Sequence, residues 1–201
     1  YLDENGIAEQ IDNYIPHIDP EYFLNTGRTV LSDIYQIGLT LYRLCNGNIL
    51  KGQLSQLNVI SEKGLSPEKF KEVTLNGKYP DREYFLPHIP QKLRKIIQKC
   101  LEVKAEKRYN NVIQIMNDLS DIDENLDWCL TGDSNELYRL YKENAKISIS
   151  VKEEAHDKIR ITCYKTNILS GNITKMKSFC SLQNSQSSTM DEIARIIKEN
   201  N

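Results

Sequence analysis

The sequence predicts a mainly α-helical segment over residues 1–123 and a small α+β domain over residues 124–201 with a three-stranded antiparallel sheet. Apolar residues recur at helical spacing in the first segment, where prolines and Asn-Gly pairs separate the elements. After residue 123, apolar and polar residues alternate, as in strands with one buried face. Helical spacing then returns at the end of the chain.

Four helices are predicted in the first segment, each with its apolar residues on one face. Ser32-Asp33 caps the first helix and Asn46-Gly47 stops it. The second has Ser66 as its N-cap and Pro67 at its first position, and prolines then fix an extended connection over residues 78–90. The apolar positions of the four helices include Ile34, Ile37, Leu41, Leu44, Cys45, Phe70, Val73, Leu93, Ile96, Ile97, Cys100, Leu101, Val112, Ile113, Ile115, Met116 and Leu119.

Two capping boxes predict the helices of the second segment. One spans residues 133–136 and precedes a short run of helical spacing, and the other spans residues 189–192 and begins the last helix. Apolar and polar alternation between them predicts strands over residues 147–151, 159–163 and 176–182. The apolar positions of the two helices are Leu137, Leu140, Tyr141, Met190, Ile193, Ile196 and Ile197.

The composition argues against two classes of partner. The chain has 201 residues and a formal net charge of −2, and its pI is about 6.0. Proteins that bind nucleic acids or membrane surfaces concentrate Lys and Arg, so we expect neither partner here. The longest apolar stretch, residues 34–45, is too short and too polar to cross a bilayer.

The cysteines and histidines do not form the pattern of a metal site or a disulfide framework. The five cysteines include no Cys-x-x-Cys pair, and the three histidines lack metal-binding neighbours at ligand spacing. We predict that the cysteines are small core residues and that the protein is cytoplasmic. Because the chain begins with Tyr1 and shows no signal-peptide pattern, we also expect an upstream segment to be missing.

Three motifs occur in an order that resembles a known family. Asp19-Pro20-Glu21 is followed by Asp33 and Gly38, and then by Glu106-Lys107-Arg108-Tyr109. Their order and distances resemble the carboxy-terminal lobe of eukaryotic-type Ser/Thr protein kinases, in the form found in bacteria. The resemblance implies that residues 1–123 are a fragment of that lobe, so that the expected fold class is a mainly α kinase C-lobe fragment followed by the small α+β domain.

The resemblance implies roles for three charged residues. In the family, the residues matching Glu21 and Arg108 form a buried ion pair, in which a guanidinium can hold a carboxylate through two hydrogen bonds. The residue matching Asp33 holds the backbone of the catalytic loop. Two solvated charges, and a simple helix cap at Asp33, are the alternatives. Gly38 costs its helix about 1 kcal/mol relative to alanine, and we expect another backbone to pack against it.

The first residues resemble the metal-binding loop of kinases. Glu4-Asn5-Gly6 stands where the family has Asp-Phe-Gly. The resemblance therefore implies Glu4 as a metal ligand, or Asp3 if the alignment shifts by one residue. The longer Glu side chain disturbs a magnesium site, which requires near-ideal octahedral geometry. A polar hairpin turn is the alternative interpretation.

The next residues resemble a short activation segment followed by a substrate platform. Residues 7–19 contain no Ser or Thr. Tyr14 and His17 replace the Thr and Tyr of most family members, which together with Glu4 favours a degenerate kinase. In the family, this loop and the helix after Ser66 contact the protein substrate. The residues of this implied platform are Tyr14, Pro16, His17 and Phe23.

The resemblance implies phosphoryl transfer, but only by a longer protein. A kinase needs a Gly-rich loop, a catalytic-loop Asp and Asn, and a metal-binding Asp, and this sequence has no Gly-x-Gly-x-x-Gly and no His-Arg-Asp. We expect a full-length parent that uses ATP and Mg²⁺ to phosphorylate protein hydroxyls, whereas this chain alone is inactive and binds neither cofactor. The alternatives are a pseudokinase or interaction module with a protein partner, and a helical scaffold unrelated to kinases. The oligomeric state stays open.

Basic residues occur throughout the predicted sheet. Charges on the solvated face of an antiparallel sheet are their usual explanation. Attraction of an acidic partner or a nucleic acid is the alternative. The residues concerned are Lys152, Lys158, Arg160, Lys165, Lys175 and Lys177.

Overall fold

The structure is a computed structural model that describes residues 18–46, 66–133 and 136–201. These residues form an α/β protein with helices in the N-terminal half and a six-stranded antiparallel sheet in the C-terminal half. The predicted fold class, a mainly helical kinase C-lobe fragment followed by a three-stranded sheet, is therefore wrong. The additional strands are β-strands at Trp128–Asp133 and Ile173–Lys175, where no strand was predicted, and at Glu136–Lys142, where a helix was predicted.

The chain divides into two compact units. The helical unit comprises the described residues up to Phe85 together with Gln91–Ile122, and the sheet unit comprises Leu86–Pro90 together with Asp123–Asn201. In the described ranges, no helix is both long enough and apolar enough to cross a bilayer. The helices of the helical unit are α1 (Pro20–Leu24), α2 (Val30–Asn46), α3 (Pro67–Leu75), α4 (Gln91–Cys100) and α5 (Val112–Ser120), with a short 3-10 helix at Ala105–Lys107.

Two helix starts show how local sequence sets these boundaries. The Ser66 hydroxyl accepts a hydrogen bond from the backbone N–H of Lys69 at 3.3 Å, so Ser66 is the N-cap of α3 as predicted. Helix α2 begins at Val30 rather than after Ser32, because the Thr29 hydroxyl accepts from the backbone N–H of Leu31 at 3.2 Å. Helix α2 therefore starts one turn earlier than the apolar spacing alone indicated.

Gly38 lets α2 and α4 approach closely. A Cβ atom at this position would lie 2.8 Å from the Cβ of Cys100 and 2.9 Å from the Cγ of Leu101, and both of these residues are fully buried. The atoms nearest to this position belong to the side chains of Cys100 and Leu101. Glycine lowers the stability of the helix itself, but a larger residue here would overpack the contact with Cys100 and Leu101.

The sheet unit contains six antiparallel strands and one long helix. Strands β1 to β5 pair in sequence order, and β6 pairs with β4 on the same side as β5. The helix α6 spans Gln186–Glu199. The strands are β1 (Trp128–Asp133), β2 (Glu136–Lys142), β3 (Ala145–Glu153), β4 (Ile159–Asn167), β5 (Ile173–Lys175) and β6 (Ser181–Gln183).

The predicted short helix after residue 133 is strand β2. Leu137, Leu140 and Tyr141 fit helical spacing, but the side chains that are buried are Tyr138 and Leu140, which are two residues apart. This period of two places both residues on the same face of the sheet, and β2 pairs with β1 and β3 along its length. Cross-strand pairing therefore overrides the capping-box signal.

Only the end of the predicted strand over residues 176–182 is a strand in the structure. Strand β5 ends at Lys175, a 3-10 helix spans Lys177–Phe179, and β6 begins at Ser181. Met176 and Phe179, three residues apart, both pack against the core of the sheet unit. A continuous strand would place residues three apart on opposite faces, so the chain turns between them.

One face of the sheet forms the core with α6. Tyr138, Ile149 and Cys163 are cross-strand neighbours on this face, and each is at most 1% exposed. Helix α6 starts at Ser185, whose hydroxyl accepts from the backbone N–H of Ser188 at 3.1 Å, and not at Thr189 as predicted. The residues of α6 in this core are Ile193, Ile196 and Ile197.

Candidate functional site around Glu21 and Arg108

Glu21 and Arg108 form a buried ion pair in the helical unit. The Nη2 atom of Arg108 lies 2.7 Å from Oε1 of Glu21, and Nη1 lies 3.2 Å from Oε2. The Arg108 side chain has no exposed surface, and that of Glu21 is 11% exposed. The two residues are 87 positions apart in the sequence. The pair therefore joins α1 to the loop after α4 through two parallel hydrogen bonds.

Every N–H donor of the Arg108 guanidinium has an acceptor. Besides Glu21, the acceptors are the backbone carbonyls of Leu31 at 2.7 Å, Glu102 at 2.7 Å and Val103 at 3.1 Å. A guanidinium carries five donors in a fixed plane, and all five are used. This complete satisfaction is what allows a full charge to remain buried.

Side chains of α2 enclose the ion pair. The ring of Tyr35 lies under the guanidinium of Arg108, with 4.8 Å between the ring centroid and Cζ. The Ser32 hydroxyl donates to Oε2 of Glu21 at 3.4 Å. Burial raises the pKa of Tyr35 well above its usual range, so its phenol stays neutral, and it donates to the carbonyl of Tyr79 at 3.3 Å. The aromatic face thus provides an attractive surface for the cation.

A second ion pair fixes the start of α1. The Asp19 side chain accepts from the backbone N–H of Tyr22 at 3.0 Å, and its other oxygen lies 2.9 Å from Nε of Arg28. Asp19 has no exposed surface. Pro20 occupies the first position of α1, where its missing N–H costs nothing. Glu21 is therefore presented to Arg108 from a short helix that is held at its N-terminus.

Asp33 lies in the first turn of α2 and is exposed to solvent. A carboxylate at this position interacts favourably with the helix dipole. The described residues thus place Asp33 where its side chain is accessible, whereas Glu21 and Arg108 are enclosed. The role in catalytic-loop support that the resemblance implies for Asp33 stays a prediction.

Phe23 is the one residue of the implied substrate platform within the described ranges. Its ring lies edge-on to Phe70 of α3, with 5.8 Å between centroids, and to Tyr22 at 5.2 Å. Phe70 in turn packs against Tyr79 at 4.9 Å. The structure therefore brings α1 together with the helix that begins after Ser66, the two elements that the resemblance assigns to substrate contact.

The remaining predicted site residues lie outside the described residues. These are the candidate metal ligands Glu4 and Asp3 and the other platform residues Tyr14, Pro16 and His17. Within residues 18–46, 66–133 and 136–201, no group of His, Cys, Asp or Glu side chains is arranged to hold a metal ion. The described residues therefore contain no candidate magnesium site to which a chemical step could be assigned.

The cysteines are free thiols, and their burial differs. Cys100 and Cys163 are buried, and burial raises the pKa of each thiol to about 12. Burial also raises the pKa of Cys45 to about 11. These thiols stay protonated near neutral pH and behave as small apolar residues. Cys129 is exposed, so the prediction that every cysteine is a core residue is wrong for this position.

Sequence reasoning missed two residues of this site. Arg28, the partner of Asp19, follows a turn at Asn25 and carries no motif of its own. Tyr35 lies between Ser32 and Gly38 in the motif region, but it is not among the apolar positions that the helical spacing predicts for this helix. Asp19 belongs to a predicted motif, but its role as the N-cap of α1 was not predicted. Its position before Pro20 could have indicated that role, since Asp is a preferred N-cap and Pro a preferred first helical residue.

The chain matches no protein-family model, and no curated protein is significantly similar to it.

Proposed function

We propose that this chain is the carboxy-terminal part of a Ser/Thr protein kinase, whose full-length form transfers the γ-phosphate of ATP to protein hydroxyls. The observation that carries the proposal is the ion pair between Glu21 and Arg108, with distances of 2.7 and 3.2 Å and with an Arg108 side chain that has no exposed surface. The kinase resemblance implies a buried pair at these two positions. A helical scaffold unrelated to kinases gives no reason for two residues 87 positions apart to form one.

The ion pair suggests how the helical unit would contribute to the proposed phosphate transfer. By holding α1 through Glu21, Arg108 fixes the residues that follow the implied activation segment. The packing of Phe23 against Phe70 then holds α1 on α3. Substrate-positioning elements of this kind contribute to catalysis by limiting the motion of the reacting groups. The proposed role of the helical unit is therefore to support the protein substrate, and not to bind ATP.

ATP and Mg²⁺ belong to the proposed parent protein and not to the described residues. Phosphoryl transfer depends on positioned phosphates and on neutralised charge, for which kinases use residues that precede the matched motifs. The described residues contain no cluster of metal-binding side chains. No step of the transfer is therefore assigned to them, and this chain alone should show no activity.

A pseudokinase is the second candidate, and one observation in the sequence favours it. Glu4-Asn5-Gly6 stands where active kinases have Asp-Phe-Gly. A pseudokinase would use the same helical unit to bind a protein partner without turnover. The two candidates differ only in whether phosphate is transferred.

Phosphate transfer by the full-length parent protein tests the proposal. With MgATP labelled at the γ-phosphate and a general protein substrate, we expect label on Ser or Thr of the substrate. The matched control is a variant of the parent in which the catalytic-loop Asp upstream of this chain is replaced by Asn. Label no higher than in that control would contradict the kinase proposal. ATP binding or partner binding without transfer would instead support the pseudokinase.

A further inference from the structure

The face of the sheet opposite α6 carries five basic side chains. They are grouped here as the basic face, which consists of Arg139, Lys146, Lys152, Arg160 and Lys175. Strand register places them together, because directly paired residues of neighbouring strands point to the same side of a sheet. A continuous row of paired residues crosses four strands: Arg139 pairs with Ser148, Ser148 with Tyr164, and Tyr164 with Lys175. Lys146 and Lys152 lie two and four residues from Ser148 along β3, so their side chains point to the same side of the sheet.

Two cations of the basic face oppose each other directly. Lys152 of β3 pairs in register with Arg160 of β4. Like charges at directly opposed positions destabilise a sheet. Both residues are exposed, and Arg160 also pairs with Glu154. Because Lys152 is exposed, the fold does not require a cation at this position. An anionic ligand would relieve the repulsion between Lys152 and Arg160.

The protein's own carboxylates offset only part of this charge. Lys146 lies 3.0 Å from Glu136, and Arg160 contacts Glu154. Lys152 and Lys175 have no ion pair among the residues that the structure describes.

Arg139 and the hydroxyl groups of Ser148 and Tyr164 complete the face. The Arg139 guanidinium lies over the ring of Tyr141 at 5.2 Å, and its Nε atom has no hydrogen-bond partner within the described ranges. Tyr141 is 55% exposed. Guanidinium, ammonium and hydroxyl groups on one face are all donors, and they suit a ligand that is rich in carboxylate acceptors.

We propose that the basic face binds an acidic protein segment. The charge pattern favours this partner over a nucleic acid, because the chain as a whole has a formal net charge of −2 and a pI of about 6.0. Domains that bind the phosphate backbone typically have a pI above about 9, with Lys and Arg clustered on one face. A local set of cations next to Glu136 and Glu154 attracts a short run of Asp and Glu without requiring a basic domain. This inference is independent of the proposed phosphotransferase function.

Binding of a fluorescein-labelled poly-glutamate peptide tests the inference by fluorescence anisotropy. We expect binding at low ionic strength that weakens as salt is added, because salt screens exposed charges. The variant Lys152→Glu should bind the peptide about tenfold more weakly, since it replaces an attraction with a repulsion. Its melting temperature should be unchanged or higher, because the new carboxylate would face Arg160.

The matched control is Lys198→Glu, which makes the same charge change at an exposed position of α6. It should bind the peptide as the unmodified chain does. Three results would overturn the inference: no binding at low salt, equal weakening in the two variants, or displacement of the peptide by a single-stranded oligonucleotide that binds more tightly. The last result would identify the face as a nucleic-acid surface.

Discussion

Replacing Arg108 by alanine is expected to lower the free energy of unfolding of the helical unit by about 3–5 kcal/mol. The substitution leaves the Glu21 carboxylate buried with only the Ser32 hydroxyl as a side-chain donor. It also removes the donors to the carbonyls of Leu31, Glu102 and Val103. A buried charge without its partner, together with acceptors that lose their donors, accounts for a loss of this size.

Denaturant unfolding followed by far-ultraviolet circular dichroism measures this loss. The control is Lys69→Ala, which removes an exposed ion pair with Glu72 in the same unit and should lower the free energy of unfolding far less, because solvent screens exposed pairs. The double variant Glu21→Gln with Arg108→Met removes both charges and should lose less than the sum of its single variants, by about 0.5–3 kcal/mol. If Arg108→Ala were no more destabilising than Lys69→Ala, the pair would not organise this unit.

Replacing Ile161 by alanine is expected to destabilise the sheet unit by about 2–5 kcal/mol. Ile161 has no exposed surface and lies in β4, which is paired on both sides, with Val151 of β3 and Ser181 of β6. Its side chain is part of the core that also contains α6 residues. Truncation therefore removes buried apolar surface and leaves a cavity that the paired strands cannot close.

The fluorescence of Trp128 measures this second loss. Trp128 is the only tryptophan of the chain and is buried in the core of the sheet unit, so its signal reports on that unit. The control is Ile173→Ala in β5, where the same side chain is 69% exposed and its truncation should cost less than about 1 kcal/mol. Equal losses in the two variants would contradict the assignment of Ile161 to the core.

The helices were predictable where a local signal decides the structure. Ser66 followed by Pro67 forms an N-cap whose interactions lie within one turn, and the helix begins there. Strand β2 was not predictable in this way, because Leu137, Leu140 and Tyr141 satisfy helical spacing while Tyr138 is stabilised by Ile149 on another strand. The break at Met176 likewise depends on a core that α6 helps to form. Contacts between distant segments leave no local pattern.

The same distinction applies to the candidate site. The kinase resemblance implied a pair between Glu21 and Arg108, and the two side chains lie within hydrogen-bonding distance in the structure. The backbone carbonyls that complete the Arg108 environment carry no sequence signal, since every residue has one. Arg28 could not be assigned to Asp19 for a related reason: a single arginine after a loop has many possible partners.

The most direct test of the kinase proposal is the rate of phosphate transfer by the full-length parent with Asp33→Asn. Asp33 is exposed at the start of α2, so the substitution should change stability by no more than about 1 kcal/mol. If this carboxylate positions a catalytic loop, kcat should fall about a hundredfold with an unchanged melting temperature. The control Thr40→Ala, exposed on the same helix, should transfer phosphate normally. No transfer by the unmodified parent would contradict the kinase proposal, whereas normal transfer by Asp33→Asn would contradict the positioning role of Asp33.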